Sequence, residues 1–181
     1  MRIIAGSMGG RQFVSPKGHT THPMSEKVRG ALFNMLGDIE GLTVLDPYSG
    51  SGAVAYEAIS RGAKSVQAIE LDKTAQETIR QNVDSLEMRD SINLFPGSCI
   101  RWTFRNRSVL FDVVICDPPY DRVLIRDIQR LSNHVKPAGI LVLSWPGHLK
   151  PDQLKGFEQI KIQTYGDAQL IFYRRNIVSM T

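Results

Sequence analysis

Leu42-Thr43-Val44-Leu45-Asp46-Pro47-Tyr48-Ser49-Gly50-Ser51-Gly52-Ala53 decides the fold. Residues 42–46 form an apolar run that reads as a strand, and residues 53–61 read as a helix that Gly62 stops. Between them lies a glycine loop. Glycine lets a backbone turn tightly and approach a ligand with no Cβ in the way. The helix start behind the loop presents free N–H groups. Read as GxGxx(G/A), Gly50, Gly52 and Ala55 suit a nucleotide-bearing ligand. The next strand, Ser65–Glu70, ends 20 residues past Gly50 on a carboxylate, where ribose hydroxyls are met. The competing reading is a structural turn and a surface glutamate. The strand–loop–helix context, with the acid at that distance, favours nucleotide binding.

The alternation continues downstream. Residues 73–86 read as a helix with Ala75, Ile79, Val83 and Leu86 inward, and residues 92–95 as a third strand. Residues 109–116 are almost continuously apolar, as a central parallel strand buried on both faces must be. A helix near 122–135 and a strand at 140–144 follow. Residues 157–165 and 168–174 alternate and are joined by Gly166-Asp167, which predicts a terminal antiparallel hairpin. The sum is a doubly wound, Rossmann-like α/β sheet whose ligands bind beyond the carboxyl ends of the strands.

Upstream, residues 2–5 and 11–14 predict a β-hairpin around residues 6–10, and residues 15–24 a loop. Ser25 is placed to cap a helix carrying Val28, Ala31, Leu32, Met35 and Leu36 at helical spacing, which Gly37 ends. The expected organisation is an arm, residues 1–37, packed on a body, residues 38–181, as one globular unit.

The chain has 181 residues, 42% hydrophobic and 22% charged, enough for a single sizeable core. Residues 1–29 carry Arg2, Arg11, Lys17, Lys27 and Arg29 against Glu26, so the whole formal charge of +4 lies there. The remainder sums to zero. This excludes an acidic disordered chain and a uniformly basic one, and it suggests a polyanionic partner gripped by those five residues. No apolar run approaches the roughly 18 residues that span a membrane, and residues 1–6 hold no secretion-signal core. Cys99 and Cys116 form no CxxC pair, so a reducing cytoplasm is expected. His19, His22, His134 and His148 have no ligand cluster around them, and no metal is expected.

Asp46 sits four residues before Gly50. A carboxylate there fits a ligand with a positive end better than a pyrophosphate. S-adenosylmethionine, with a sulfonium and an ammonium and no phosphate, meets that condition; NAD does not. Cys116-Asp117-Pro118-Pro119-Tyr120 directly follows the buried strand, at the carboxyl edge of the sheet. Two prolines stiffen this loop. The Asp117 carboxylate and the Pro118 carbonyl can accept hydrogen bonds from an exocyclic NH₂, and Tyr120 offers a stacking face. An aromatic amine is a poor nucleophile, and two fixed acceptors favour a pyramidal nitrogen with its lone pair free. That is catalysis by positioning and electrostatics. A rigid turn is the competing reading, but the complete tetrapeptide in this context outweighs it.

Residues 46–52, Glu70 and residues 117–120 resemble the class I S-adenosylmethionine-dependent methyltransferases that modify base amino groups. The likeness extends through residues 1–6, 10–11, 22–34 and 57–63 to the RsmD family, bacterial 16S ribosomal RNA guanine-N2 methyltransferases. It runs from residue 1 to about residue 145. The resemblance implies that Asp46, Tyr48, Gly50 and Gly52 line the cofactor's methionine end. Glu70 and Leu71 would lie at the ribose, and Gly97 and Ser98 near the adenine. Asp117, Pro118, Pro119 and Tyr120 would form the catalytic loop. Ser98 departs from the acidic residue usual in the family, Tyr48 replaces an aromatic Phe, and Met24 stands where Thr is common.

The expected activity is methyl transfer from S-adenosylmethionine, leaving S-adenosylhomocysteine, to a guanine N2 in small-subunit ribosomal RNA. The substrate would be a partly assembled particle and the enzyme a monomer. Alternatives are adenine-N6 methylation of DNA or RNA, a NAD-type oxidoreductase, and a non-catalytic RNA-binding assembly factor. For RNA contact, Arg122 and Arg126, with Arg130, recur every four residues after the catalytic loop. That stripe is either an RNA face or a solvated face paired with Asp121 and Asp127. Arg101, Arg105 and Arg107 surround Trp102 and Phe104 in an apparent loop, with the same two readings open.

Overall fold

The computed structural model describes residues 1–16, 24–121, 125–150 and 153–177. The elements run α1 (Glu26–Leu36), β1 (Thr43–Asp46), α2 (Ala53–Ser60), β2 (Ser65–Glu70), α3 (Lys73–Ser85), β3 (Ile92–Pro96) and α4 (Cys99–Arg105). They continue with β4 (Phe111–Cys116), α5 (Ile125–Ser132), β5 (Val135–Pro146), β6 (Phe157–Tyr165) and β7 (Ala168–Arg175). One seven-stranded sheet has the order β3-β2-β1-β4-β5-β7-β6. The first five strands in that order are parallel, and β7 and β6 close the sheet antiparallel. Strand order reverses between β1 and β4. That reversal opens a crevice at their carboxyl ends.

Successive strand residues serve opposite faces. Val44 and Val113 join a core with Leu32, Ala58 and Ile79, while Leu45 and Val114 join a second core with Trp102, Ile128 and Leu131. Helices α1, α2 and α3 therefore cover one face, and α4 and α5 the other. The expected caps form: the Ser25 side chain accepts from the Val28 N–H, and Gly37 ends α1 at φ 84°.

Four boundaries differ from the sequence reading. Residues 99–105 are helical, because Ser98 caps them and Cys99, Trp102 and Thr103 are buried at i, i+3 and i+4. Trp102 is not a surface residue; it packs against Phe111 and His134, with ring centroids 5.9 and 4.9 Å apart. The described helix α5 stops at Ser132, and β5 starts at Val135 rather than residue 140. Val135 pairs with Phe111 and Ile140 with Val113, so the segment between them bulges at Ala138, φ 61°. The N-terminal hairpin reduces to one bridge, Arg2 to Gln12.

The arm is held from below by side chains. Glu57 on α2 accepts the N–H groups of Ile4 at 2.7 Å and Ala5 at 3.1 Å. It also pairs with Arg61 at 2.8 Å and Arg29 at 3.7 Å. Asn82 on α3 accepts from the Val14 N–H and donates to its carbonyl. Arg29, read from sequence as an RNA contact, is fully buried, and its guanidinium donates to the Arg2 carbonyl at 2.6 Å. It is a core counter-ion to Glu57. A buried carboxylate needs a partner charge, and the helical spacing of α1 turns Arg29 inward.

Candidate cofactor and catalytic site

β1 ends at Asp46 and the chain turns through Pro47, Tyr48 and Ser49. The Ser49 hydroxyl ties the turn by donating to the Asp46 carbonyl at 2.9 Å and accepting from the Ile69 N–H at 3.1 Å. Gly50 and Gly52 adopt φ 52° and 82°. At Gly52 a Cβ would also lie 2.3 Å from the Tyr56 hydroxyl, so side chains are excluded there. At Gly50 a Cβ would point into open space, so the backbone is exposed to a ligand. No side chain caps α2 behind the loop.

Glu70, at the end of β2, accepts the Gly50 N–H on Oε2 at 2.6 Å and the Asp72 N–H on Oε1 at 2.8 Å. Leu71 beside it is 70% exposed. Gly97 bonds its N–H to the Glu70 carbonyl at 2.8 Å. Ser98 lies next in the chain, and its hydroxyl caps α4 by accepting from the Arg101 N–H. Tyr48 is half-buried against the second core, and burial pushes its phenol upward.

Asp46 is buried, and its Oδ2 has no hydrogen-bond partner among the described residues. Burial pushes its carboxyl up to about 7, with Asp117 and Glu70 adding repulsion. An unpartnered buried carboxylate oxygen beside exposed glycine backbone fits a ligand bearing a positive charge. S-adenosylmethionine satisfies this arrangement, and Glu70 keeps free lone pairs for hydroxyl donors.

Asp117-Pro118-Pro119-Tyr120 leaves the carboxyl end of β4, next to β1. Burial raises the Asp117 carboxyl to about 6, while the Ser144 hydroxyl holds it down. Tyr120 is 40% exposed, and its hydroxyl lies 2.7 Å from Ser144 Oγ. The sheet thus brings Asp46, Gly50, Gly52, Glu70 and Asp117–Tyr120 to one edge. Ser144 is the residue the sequence did not disclose. Its only signal is that β5 follows β4 in the sheet, which needs the topology.

The basic residues are dispersed. Arg2 is exposed and pairs with Glu26 at 3.0 Å, and exposed Arg11 donates to the Ser85 carbonyl at 3.1 Å. Lys27 is exposed. On α5, Arg126 is exposed 4.0 Å from Asp127, and Arg130 pairs with Asp127 at 3.1 Å. Lys17 and Arg122 lie outside the described residues, as do His19 and His22. Among the described residues, no helix is long and apolar enough to cross a membrane, and no group of three or more potential ligands could hold a metal.

The fold and this edge define a class I S-adenosylmethionine-dependent methyltransferase. The family model described as Conserved hypothetical protein 95 matches residues 1–174, and the chain belongs to that family, the RsmD family. It is 32% identical over 149 residues to the ribosomal RNA small subunit methyltransferase D of Haemophilus influenzae, covering 78% of this chain and 76% of that one. The same enzyme of Escherichia coli is 30% identical over 134 residues, covering 72% and 66%. A solved Haemophilus influenzae structure, a candidate methylase, superposes with a TM-score of 0.82 at 27% identity, covering 97% of this chain and 98% of that one.

Proposed function

We propose that the protein methylates the exocyclic N2 amine of a guanine in small-subunit ribosomal RNA. The observation that carries this is the juxtaposition of the buried Asp46 carboxylate, whose Oδ2 lacks a partner among the described residues, with the Asp117–Tyr120 loop on one sheet edge. The names of the family relatives support the RNA substrate.

When bound, S-adenosylmethionine supplies an electrophilic methyl group. Asp46, Tyr48, Gly50, Gly52, Glu70, Leu71, Gly97 and Ser98 would hold it, with Asp46 toward the ammonium and Glu70 toward the ribose hydroxyls. Tyr120 stacks on the base, which must be turned out of its helix or loop. The Asp117 carboxylate and the Pro118 carbonyl accept the two amine hydrogens, and Pro119 stiffens the loop. The nitrogen lone pair is then aimed away from the ring system. As the N–CH₃ bond forms and the methyl–sulfur bond breaks, leaving S-adenosylhomocysteine, the amine would release a proton to Asp117 Oδ. A carboxyl raised to about 6 suits that role near neutrality.

Arg2, Arg11, Lys17, Lys27, Arg122 and Arg126 grip phosphates around the target. The substrate is a partly assembled particle, the enzyme acts as a monomer, and it works in the cytoplasm. The test is transfer of labelled methyl to unmethylated small-subunit RNA and particles, followed by nucleoside analysis. N2-methylguanosine is the expected product. Methyl on adenine, or RNA binding without turnover, would overturn the guanine assignment.

A further inference from the structure

Ser144 lies on β5, and the register Cys116↔Leu143 sets it beside the first residue of the catalytic loop. It is 2% exposed. Its Oγ is 2.7 Å from the Tyr120 hydroxyl, and the β4–β5 register brings it alongside Asp117, whose carboxyl the Ser144 hydroxyl holds down. A serine hydroxyl has one proton to donate and two lone pairs. Oγ can therefore accept from the Tyr120 O–H while its own proton is free for the neighbouring Asp117 carboxylate. Both halves of the loop then depend on one side chain from the neighbouring strand.

We propose that Ser144 is a positioning residue. It fixes the Tyr120 ring as a preset stacking face and orients the Asp117 carboxylate beside it. This rests on the methyltransferase reading above. Tyr120 is still 40% exposed, so the hydrogen bond immobilises the ring without covering it. Preorganisation of this kind lowers the entropy lost when a base stacks.

The charged and titratable groups around Asp117 are few among the described residues. Asp46 faces it from β1, Cys116 adjoins it on β4, Tyr120 shares its loop, and Ser144 meets it from β5. Asp46 titrates close by, so pH profiles of activity carry both carboxyls. The experiment therefore follows the Asp117 side chain directly.

The Asp117 carboxyl is titrated by ¹³C NMR in the free protein, wild type against Ser144→Ala and Ser144→Thr. Ser144→Ala is expected to move the Asp117 midpoint upward and to lower kcat roughly tenfold, the loss of one hydrogen bond to a charged group. Ser144→Thr, which keeps the hydroxyl, is expected to restore both. Tyr120→Phe keeps the ring and frees Ser144, so RNA KM should rise severalfold while the Asp117 midpoint stays at its wild-type value. Calorimetry with S-adenosylhomocysteine, expected to be unaffected in Ser144→Ala, shows that the fold is retained. An unchanged Asp117 midpoint in Ser144→Ala, or an unchanged KM in Tyr120→Phe, overturns the proposal. If wild type methylates no RNA, the functional reading fails, while the NMR titration still decides the role of Ser144.

Discussion

The Glu70 carboxylate receives the backbone N–H of Gly50 at 2.6 Å. The acid at the end of β2 thus fixes the glycine loop at the end of β1 before any ligand arrives. Its other oxygen accepts from Asp72 N–H at 2.8 Å, which steadies the start of α3. The two groups proposed to meet the cofactor are therefore mechanically one unit. Glu70→Ala is expected to weaken S-adenosylhomocysteine binding roughly ten- to hundredfold, since both a hydroxyl acceptor and the loop support go. Glu70→Gln keeps an acceptor for Gly50 and should lose less. Calorimetry of both variants checks the order; equal losses would separate the loop from the ligand.

Asp117 should matter to turnover and not to cofactor affinity. Asp117→Ala is expected to lower kcat about 10²–10³-fold, as for other preorganised groups aimed at developing charge. Cofactor affinity should stay within a fewfold. Because the working form is the carboxylate, kcat in wild type, measured at saturating cofactor so that Asp46 stays ionised, should rise with pH through about 6 and level off above it. A flat profile across that range would contradict the assignment.

Asp46 links pH to both stability and binding. Its folded carboxyl is raised from 3.8 to about 7, so the folded state holds the proton more tightly than the unfolded state. That stabilising contribution is complete below the unfolded value and lost as pH rises through about 7. Asp46→Asn should therefore raise the Tm of the ligand-free protein at about pH 8, by roughly 2–4 °C for each kcal/mol regained, and change little at about pH 4. A cation-bearing ligand favours the ionised form. Wild-type affinity for S-adenosylhomocysteine should climb with pH through about 7 with proton release, and the variant should bind weakly at every pH. Equal proton release on binding by both proteins, read from the buffer dependence of the binding heat, would refute this.

Glu57 and Arg29 form the buried joint between arm and body, both side chains 0% exposed. Glu57→Ala strands a buried guanidinium and frees the Ile4 and Ala5 N–H groups. The expected loss of unfolding free energy is about 3–5 kcal/mol. Denaturant unfolding measures it. A loss under about 1 kcal/mol would mean the arm is held by other contacts.

If the exposed basic residues grip phosphates, affinity for RNA must fall with salt. Replacing Arg2, Arg11, Lys27 and Arg126 one at a time by Ala should each flatten the slope of log K against log[salt] by about 0.7–0.9. Arg29 should have no such effect in a variant that stays folded, such as Arg29→Met. A slope that survives all four surface changes would place the grip elsewhere.

The strand–helix alternation, the glycine loop and the Asp117–Tyr120 loop were legible in the sequence because they rest on local rules. Apolar periodicity, φ preferences of glycine and proline, and caps such as Ser25 act over a few residues. The helix Cys99–Arg105 was not legible. It is too short for a clear period, and burial of Trp102 against Phe111 and His134 decides it. Arg29 shows the same limit: its charge pointed to solvent, and only the buried Glu57 carboxylate on another helix explains its place. Sequence alone singled out the groups proposed to carry the chemistry. The tertiary structure decided which of them face one another, because the β1–β4 crossover sets Asp46 beside Asp117, and β5 brings Ser144 alongside the loop and onto Tyr120. Those contacts join residues far apart in the chain, and their energies depend on burial that no local pattern encodes.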